Sequence, residues 1–139
     1  MSRVMPKLSV SRMVADAKAR IDTLEVSEAQ ALLEDPAVVF VDIRDSSEIA
    51  SGGTIPGAIH MPRGSLEFWI DPESEYFKPL FAKDYRFVFF CAADLRSSLA
   101  TADAQDMGLK RVCHIAGGFR AWREAGAPIA ASPRALSSI

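Results

Sequence analysis

Cysteine and histidine are scarce in this sequence: Cys91, Cys113, His60 and His114 are the only ones among 139 residues. Two cysteines cannot build a disulfide framework, so nothing points to an oxidising compartment. The four residues show no C-x-x-C or H-x-x-x-H spacing, and the adjacent pair Cys113-His114 would face opposite sides of a strand, which weighs against a zinc site. Long apolar runs are also missing. The longest, residues 37–41 and 87–93, have strand length and fall far short of a bilayer span. The basic start (Arg3, Lys7, Arg12, Lys18, Arg20) leads into no apolar h-region, and no prenylation box closes the chain, so neither secretion nor lipid anchoring is expected. Charge of one sign is lacking too. Sixteen Lys and Arg stand against 18 Asp and Glu, without the basic excess of a nucleic-acid binder. The expectation is a reduced, cytoplasmic protein with neither nucleic-acid nor membrane partners.

What is present suits one compact domain. Hydrophobic residues make up 49% of the chain, enough for a proper core at this length. Residues 38–43 (Val-Val-Phe-Val-Asp-Ile) and 85–90 (Tyr-Arg-Phe-Val-Phe-Phe) read as strands without alternation, hence buried on both faces, as in a parallel sheet covered by helices. Residues 58–61 and 111–115 are further strands. Residues 11–21 fit either a short amphipathic helix or a loosely attached extension; helices are expected from Ser27 (N-cap, with Gln30 three residues on) to Asp35-Pro36, at 45–50, 66–70, 97–107 and 119–125, with Gly108 and Gly126 as terminators. In the helix at 97–107, Leu99, Ala100, Ala102, Ala104 and Met107 should form the inner face. Strands alternating with helices imply right-handed crossovers and a three-layer α/β fold.

The most specific position is Cys91, at the end of the second strong strand, with a helix starting about five residues later. Ligands of parallel α/β sheets bind beyond the carboxyl ends of the strands. Loop N–H groups and the positive end of the following helix stabilise an anion held at the loop's centre, and Arg96 adds a full positive charge. An electropositive thiol nucleophile is the physical expectation. Taken alone, position 91 fits an inert packing cysteine as well.

The flanking motifs decide between these readings. Val39-Phe40-Val41-Asp42-Ile43-Arg44-Asp45, then Glu48 and Gly53-Thr54-Ile55-Pro56-Gly57-Ala58-Ile59, resemble the first and central signatures of the rhodanese-like family. Phe90-Cys91-Ala92-Ala93-Asp94-Leu95-Arg96-Ser97 resembles its active-site loop. Ile115-Ala116-Gly117-Gly118-Phe119-Arg120-Ala121-Trp122 and Ala125-Gly126-Ala127-Pro128-Ile129 are similar to its closing signature. The match covers about Leu24 to Ala130 in order and spacing, and Pro56 to Trp69 further resembles a bacterial branch of single-domain members.

The resemblance implies a five-stranded, mostly parallel sheet in a rhodanese-like domain at 23–130, with an extension at 1–22 and a frayed tail at 131–139. It also implies that Cys91 takes a sulfane sulfur from a donor such as thiosulfate and hands it, as a persulfide, to cyanide or a thiol. Residues Ala92, Ala93, Asp94, Leu95 and Arg96 would form the substrate cradle, with no metal or organic cofactor required. A protein acceptor, a persulfide carrier and a non-catalytic interaction module are the alternatives within the family. The six-residue loop resembles that of the sulfurtransferases rather than the seven-residue loop of the related dual-specificity phosphatases.

Two departures stand out. Asp94 occupies a position that is often Gly, where a carboxylate would weaken anion binding or adopt a positive φ, and Thr54 replaces the usual His of the central motif. Asp42, Arg44 and Glu48 read as a structural polar network, Cys113 as core, and Phe68 and Trp69 as packing rather than walls of the site. A protease-like dyad of Cys91 with His60 or His114 has no supporting motif.

Overall fold

The computed structural model describes residues 7–139; residues 1–6 of the expected extension, including Arg3, lie outside the described residues. Five strands form one sheet: β1 (Asp22–Leu24), β2 (Val38–Asp42), β3 (Ile59–His60), β4 (Arg86–Phe90) and β5 (Val112–Ile115). Their spatial order is β1-β5-β4-β2-β3 and every pairing is parallel. The helices are α1 (Val10–Lys18), α2 (Val26–Ala31), α3 (Ser46–Gly52), α4 (Leu66–Ile70), α5 (Leu95–Asp106) and α6 (Gly118–Glu124), with single 3-10 turns at Arg63–Ser65, Pro79–Ala82 and Leu136–Ser138.

The apolar runs in β2 and β4 follow from burial of both sheet faces. Pleating sends Val39, Val41, Phe87 and Phe89 into a core shared with Leu66 and Ile70 of α4 and with Ala100 and Ala104 of α5. Phe40, Val88 and Phe90 face the opposite core, with Cys113 and Ile115 of β5, Ala29 of α2 and Phe119 and Trp122 of α6. The same alternation, continued past the strand end, carries Cys91 onto the α5 face, where it belongs to the first core.

Several local expectations change. The edge strand β1 was not legible; it pairs Asp22, Thr23 and Leu24 with Cys113, His114 and Ile115. Its end at Leu24 forces an immediate helix start, so the N-cap of α2 is Glu25 rather than Ser27, and Glu28 rather than Gln30 reaches back to accept from Glu25 N–H at 2.9 Å. Helix α5 begins two residues earlier than expected, at Leu95. Met107, at its C-cap, is 38% exposed instead of part of the inner face. Trp69 packs on the first core, whereas Phe68 is 55% exposed and meets Tyr76 edge-on, at 6.4 Å between ring centroids.

Helix α1 buries Val14 and Ala17 and packs on α5, and Arg20 beyond it pairs with Asp106 at 2.7 Å. At the other end of the chain, where fraying was expected, Arg134 N–H donates to Ala58 O at 2.7 Å and Leu136 and Ile139 pack against the first core.

Candidate active site

Cys91 stands at the carboxyl end of β4, between β2 and β5, and is 1% exposed. The loop behind it is fixed through its carbonyls. Cys91 O accepts from Phe119 N–H at 2.8 Å and Ala92 O from Arg120 N–H at 2.9 Å, both at the start of α6. This approach is possible because Gly118 has φ +58 and no side chain: a Cβ there would collide with the carbonyl oxygens of Ala93 and Cys91. With the carbonyls turned to α6, the N–H groups of Ala92, Ala93, Asp94, Leu95 and Arg96 have no backbone acceptor among the described residues. Ser97 N–H, in the first turn of α5, donates to Cys91 Sγ at 3.3 Å. An anion at the end of Sγ would meet the Ser97 N–H and the positive end of a twelve-residue helix.

The charged neighbours differ from the sequence expectation. Asp94 takes φ −148, not a positive value, and its carboxylate is tied away: Oδ1 accepts from Lys18 Nζ at 2.7 Å and Oδ2 from Gly117 N–H at 2.9 Å. Burial pushes this carboxyl up, but the Lys18 and Gly117 hydrogen bonds outweigh it and hold Asp94 below the usual carboxylate range. Arg96 is not a free cation either. Its guanidinium forks onto Glu48, with contacts of 3.0 and 2.9 Å, and this pair draws the Glu48 carboxyl down to about 2. Glu48 also accepts from Asp45 N–H at the start of α3, which fixes the pair to the fold.

Asp42 and Arg44 form the polar network anticipated from sequence. Arg44 Nε and Nη2 donate to the two Asp42 oxygens at 3.0 and 2.8 Å, and Nη2 also to Gly53 O at 2.7 Å. Thr54 completes it with a 2.7 Å hydrogen bond to Asp42 Oδ2, which gives the departure at this position a structural role. Both charges are buried, so each needs the other.

Neither histidine is hydrogen-bonded to Cys91. His60 Nε2 lies 2.7 Å from Arg44 O, and His114 is linked to the loop only through Ser97. Pleating puts His114 on the α5 face, with Nδ1 2.9 Å from Ser97 Oγ and Nε2 3.0 Å from Thr23 Oγ1. Burial pushes its imidazole down to about 4. Cys113 faces the other core, and burial raises its thiol, in keeping with a packing role. The sequence reading gave no individual role at the site to Lys18, Thr23, Ser97 or Gly118. Of these, Ser97 and Gly118 left a readable signal, since both stand inside the quoted motifs, and Ser97 is one of three buried small polar residues on α5 with Ser98 and Thr101.

A family model described as Rhodanese-like domain matches residues 25–125. Human thiosulfate:glutathione sulfurtransferase is 33% identical over 108 residues, covering 73% of this chain and 93% of that protein. The structure of a protein of unknown function, possible tyrosine phosphatase, from Rhodopseudomonas palustris has a TM-score of 0.89 at 51% identity and covers 94% of this chain and 99% of that one. The polysulfide-sulfur transferase homodimer of Wolinella succinogenes has a TM-score of 0.63 at 31% identity, covering 88% and 85% of the two chains. Other curated relatives are longer: the chain spans about a third of the tRNA uridine(34) hydroxylase of Cronobacter sakazakii, at 31% identity.

Proposed function

The chain belongs to the rhodanese-like domain family, and from that premise we propose that it is a sulfurtransferase working through a persulfide on Cys91. In the first half-reaction the Cys91 thiolate attacks the outer sulfur of a donor such as thiosulfate. A new S–S bond forms, the donor's S–S bond breaks, and sulfite leaves. In the second, an acceptor thiolate or cyanide attacks the outer sulfur of the persulfide. That bond breaks, the Cys91 thiolate is restored, and the acceptor leaves as a persulfide or thiocyanate. Splitting the transfer into two displacements on sulfur needs no metal or organic cofactor.

The observation that carries the reading is the loop after Cys91: Cys91 O and Ala92 O are held by α6, the N–H groups of residues 92–96 have no backbone acceptor among the described residues, and Ser97 N–H donates to Sγ. Such a cradle suits the anionic outer sulfur of a persulfide. The chemistry requires a reduced Cys91, which suits the cytoplasm; no helix among the described residues is long and apolar enough to cross a membrane.

Incubation with thiosulfate should add one sulfur atom to the intact mass, removable by cyanide and absent in Cys91→Ala. If thiosulfate, polysulfide and glutathione persulfide all leave the mass unchanged, the proposal fails. Loading without multiple turnover would identify a persulfide carrier instead, and a protein acceptor would then be sought. The likeness to a possible tyrosine phosphatase favours a second reading, phosphate ester hydrolysis by Cys91. Appreciable turnover of p-nitrophenyl phosphate, lost in Cys91→Ala, would support it over sulfur transfer.

A further inference from the structure

A line of hydrogen bonds joins Cys91 to the edge of the sheet. Ser97 N–H donates to Cys91 Sγ at 3.3 Å, Ser97 Oγ lies 2.9 Å from His114 Nδ1, and His114 Nε2 lies 3.0 Å from Thr23 Oγ1. Cys91, Ser97 and His114 are buried, and Thr23, on β1, is the exposed end of the line. An apolar side chain of similar size could fill the space between β5 and α5 without needing two hydroxyl partners. It could not hold Ser97. That residue is the third of α5, where a backbone N–H has no helical acceptor and can be aimed at another group. Strand β5 lies beside β4, which leads into Cys91, so the His114–Ser97 bond ties the first turn of α5 to the strand next to the sulfur.

We propose that His114 is a positioning residue for Cys91: it holds Ser97 so that the Ser97 N–H meets Sγ, and Thr23 braces the ring from the edge strand. The inference rests on the persulfide reading, in which Cys91 is the working residue, and deepens it. An N–H aimed at sulfur favours the thiolate, the form that attacks the donor in the first half-reaction, and the benefit depends on distance and angle. Nearby charges do not replace it. Arg96, on the same loop, is paired with Glu48, and Asp94 and Lys18, the charges that act on His114, are paired with each other at 2.7 Å. Both partners of the ring are hydroxyls, so either neutral tautomer finds an acceptor and a donor.

The rate at which iodoacetamide alkylates Cys91, followed in the peptide that contains it, tests this without sulfur transfer. In His114→Phe the rate at pH 7 should fall about threefold, because fewer thiols are ionised. At pH 10, where a thiol ionises with or without a donor, it should equal or exceed the wild-type rate, because a less stabilised thiolate is the better nucleophile. Loosened packing alone would raise the rate at both pH values. His114→Asn, whose amide can take the place of Nδ1, should restore the wild-type profile. Ser97→Ala should behave as His114→Phe does, and combining the two should add nothing. Thr23→Val, at the exposed edge, should move the profile in the same sense by a smaller factor. Ser97→Ala and Thr23→Val decide the matter if His114→Phe does not fold. An unchanged profile in Ser97→Ala, a rise at both pH values in His114→Phe, or full additivity of the pair overturns the proposal. The expected profiles without any persulfide from thiosulfate in the wild type would sink the sulfurtransferase reading and leave the positioning role standing. A persulfide in the wild type, with a profile that neither His114→Phe nor Ser97→Ala alters, would sink the positioning role alone.

Discussion

At position 118 the backbone passes so close to the Cys91 loop that there is room for a hydrogen atom and nothing larger. The residue has φ +58, and the carbonyl oxygens of Ala93 and Cys91 occupy the space where a Cβ would sit. Gly118→Ala therefore adds a positive-φ penalty of about 1 kcal/mol or more to a backbone collision, and α6 must retreat from the loop. Cys91 O and Ala92 O then lose Phe119 and Arg120 N–H as donors, which releases the loop from α6. Urea denaturation should register a loss of about 1–3 kcal/mol, and thiosulfate loading should fall further than the stability change explains. Equal loading in a destabilised Gly118→Ala protein would show that the α6 clamp is not what shapes the cradle. At this scale Cys91 was legible as the candidate nucleophile, through the flanking motifs more than through its place at the end of an apolar strand. The states of Asp94 and Arg96 were not, because their partners Lys18 and Glu48 lie 76 and 48 residues away and leave no local pattern.

Among the elements, legibility followed burial. Strands β2 and β4 are covered on both faces and wrote themselves as unbroken β-branched and aromatic runs, whereas β1 is a three-residue edge strand of which only Leu24 is buried. Nothing in Asp22-Thr23-Leu24 distinguishes a strand from a loop until β5 is beside it. The capping box of α2 shows the same limit: the pattern at Ser27 was plausible, but the strand end at Leu24 decided for Glu25.

Helix α1, ambiguous in sequence, contributes to the site through Lys18, which holds the Asp94 carboxylate at 2.7 Å. Lys18→Met should leave an uncompensated negative charge at the start of α5, where the anionic donor must arrive, and slow thiosulfate loading about fivefold, as for a partly exposed ion pair. Asp94→Asn in the same chain should restore the rate, since it removes the orphaned charge. A double variant as slow as Lys18→Met would mean that the helix contact, not the charge, matters.

For the molecule as a whole, pH couples the fold to the chain of contacts behind Cys91. His114 joins three elements, β5 by its backbone, β1 through Thr23 and α5 through Ser97, and burial holds its imidazole at about 4 against an ordinary value of 6.5. Between these values the unfolded chain binds a proton that the native state refuses, so stability rises with pH across the window and is lost as pH falls. Above about 6.5 both states are neutral and the full stability is present. The gap corresponds to about 3 kcal/mol at most. Glu48 acts in a lower window: its carboxyl, drawn to about 2 by Arg96, contributes stability above 4.5 that disappears as pH drops through the native value. The two effects are therefore separable. Unfolding free energies measured at pH 7, 5.5 and 4 should fall in the wild type and fall much less in His114→Gln, which keeps a hydrogen-bonding side chain without the titration. Glu48→Gln should leave that portion of the profile unchanged and flatten only the part below pH 4.5. An unaltered slope between pH 7 and 4 in His114→Gln would place the acid sensitivity elsewhere and remove His114 as the residue that keeps β1, β5 and α5 together only while it is neutral.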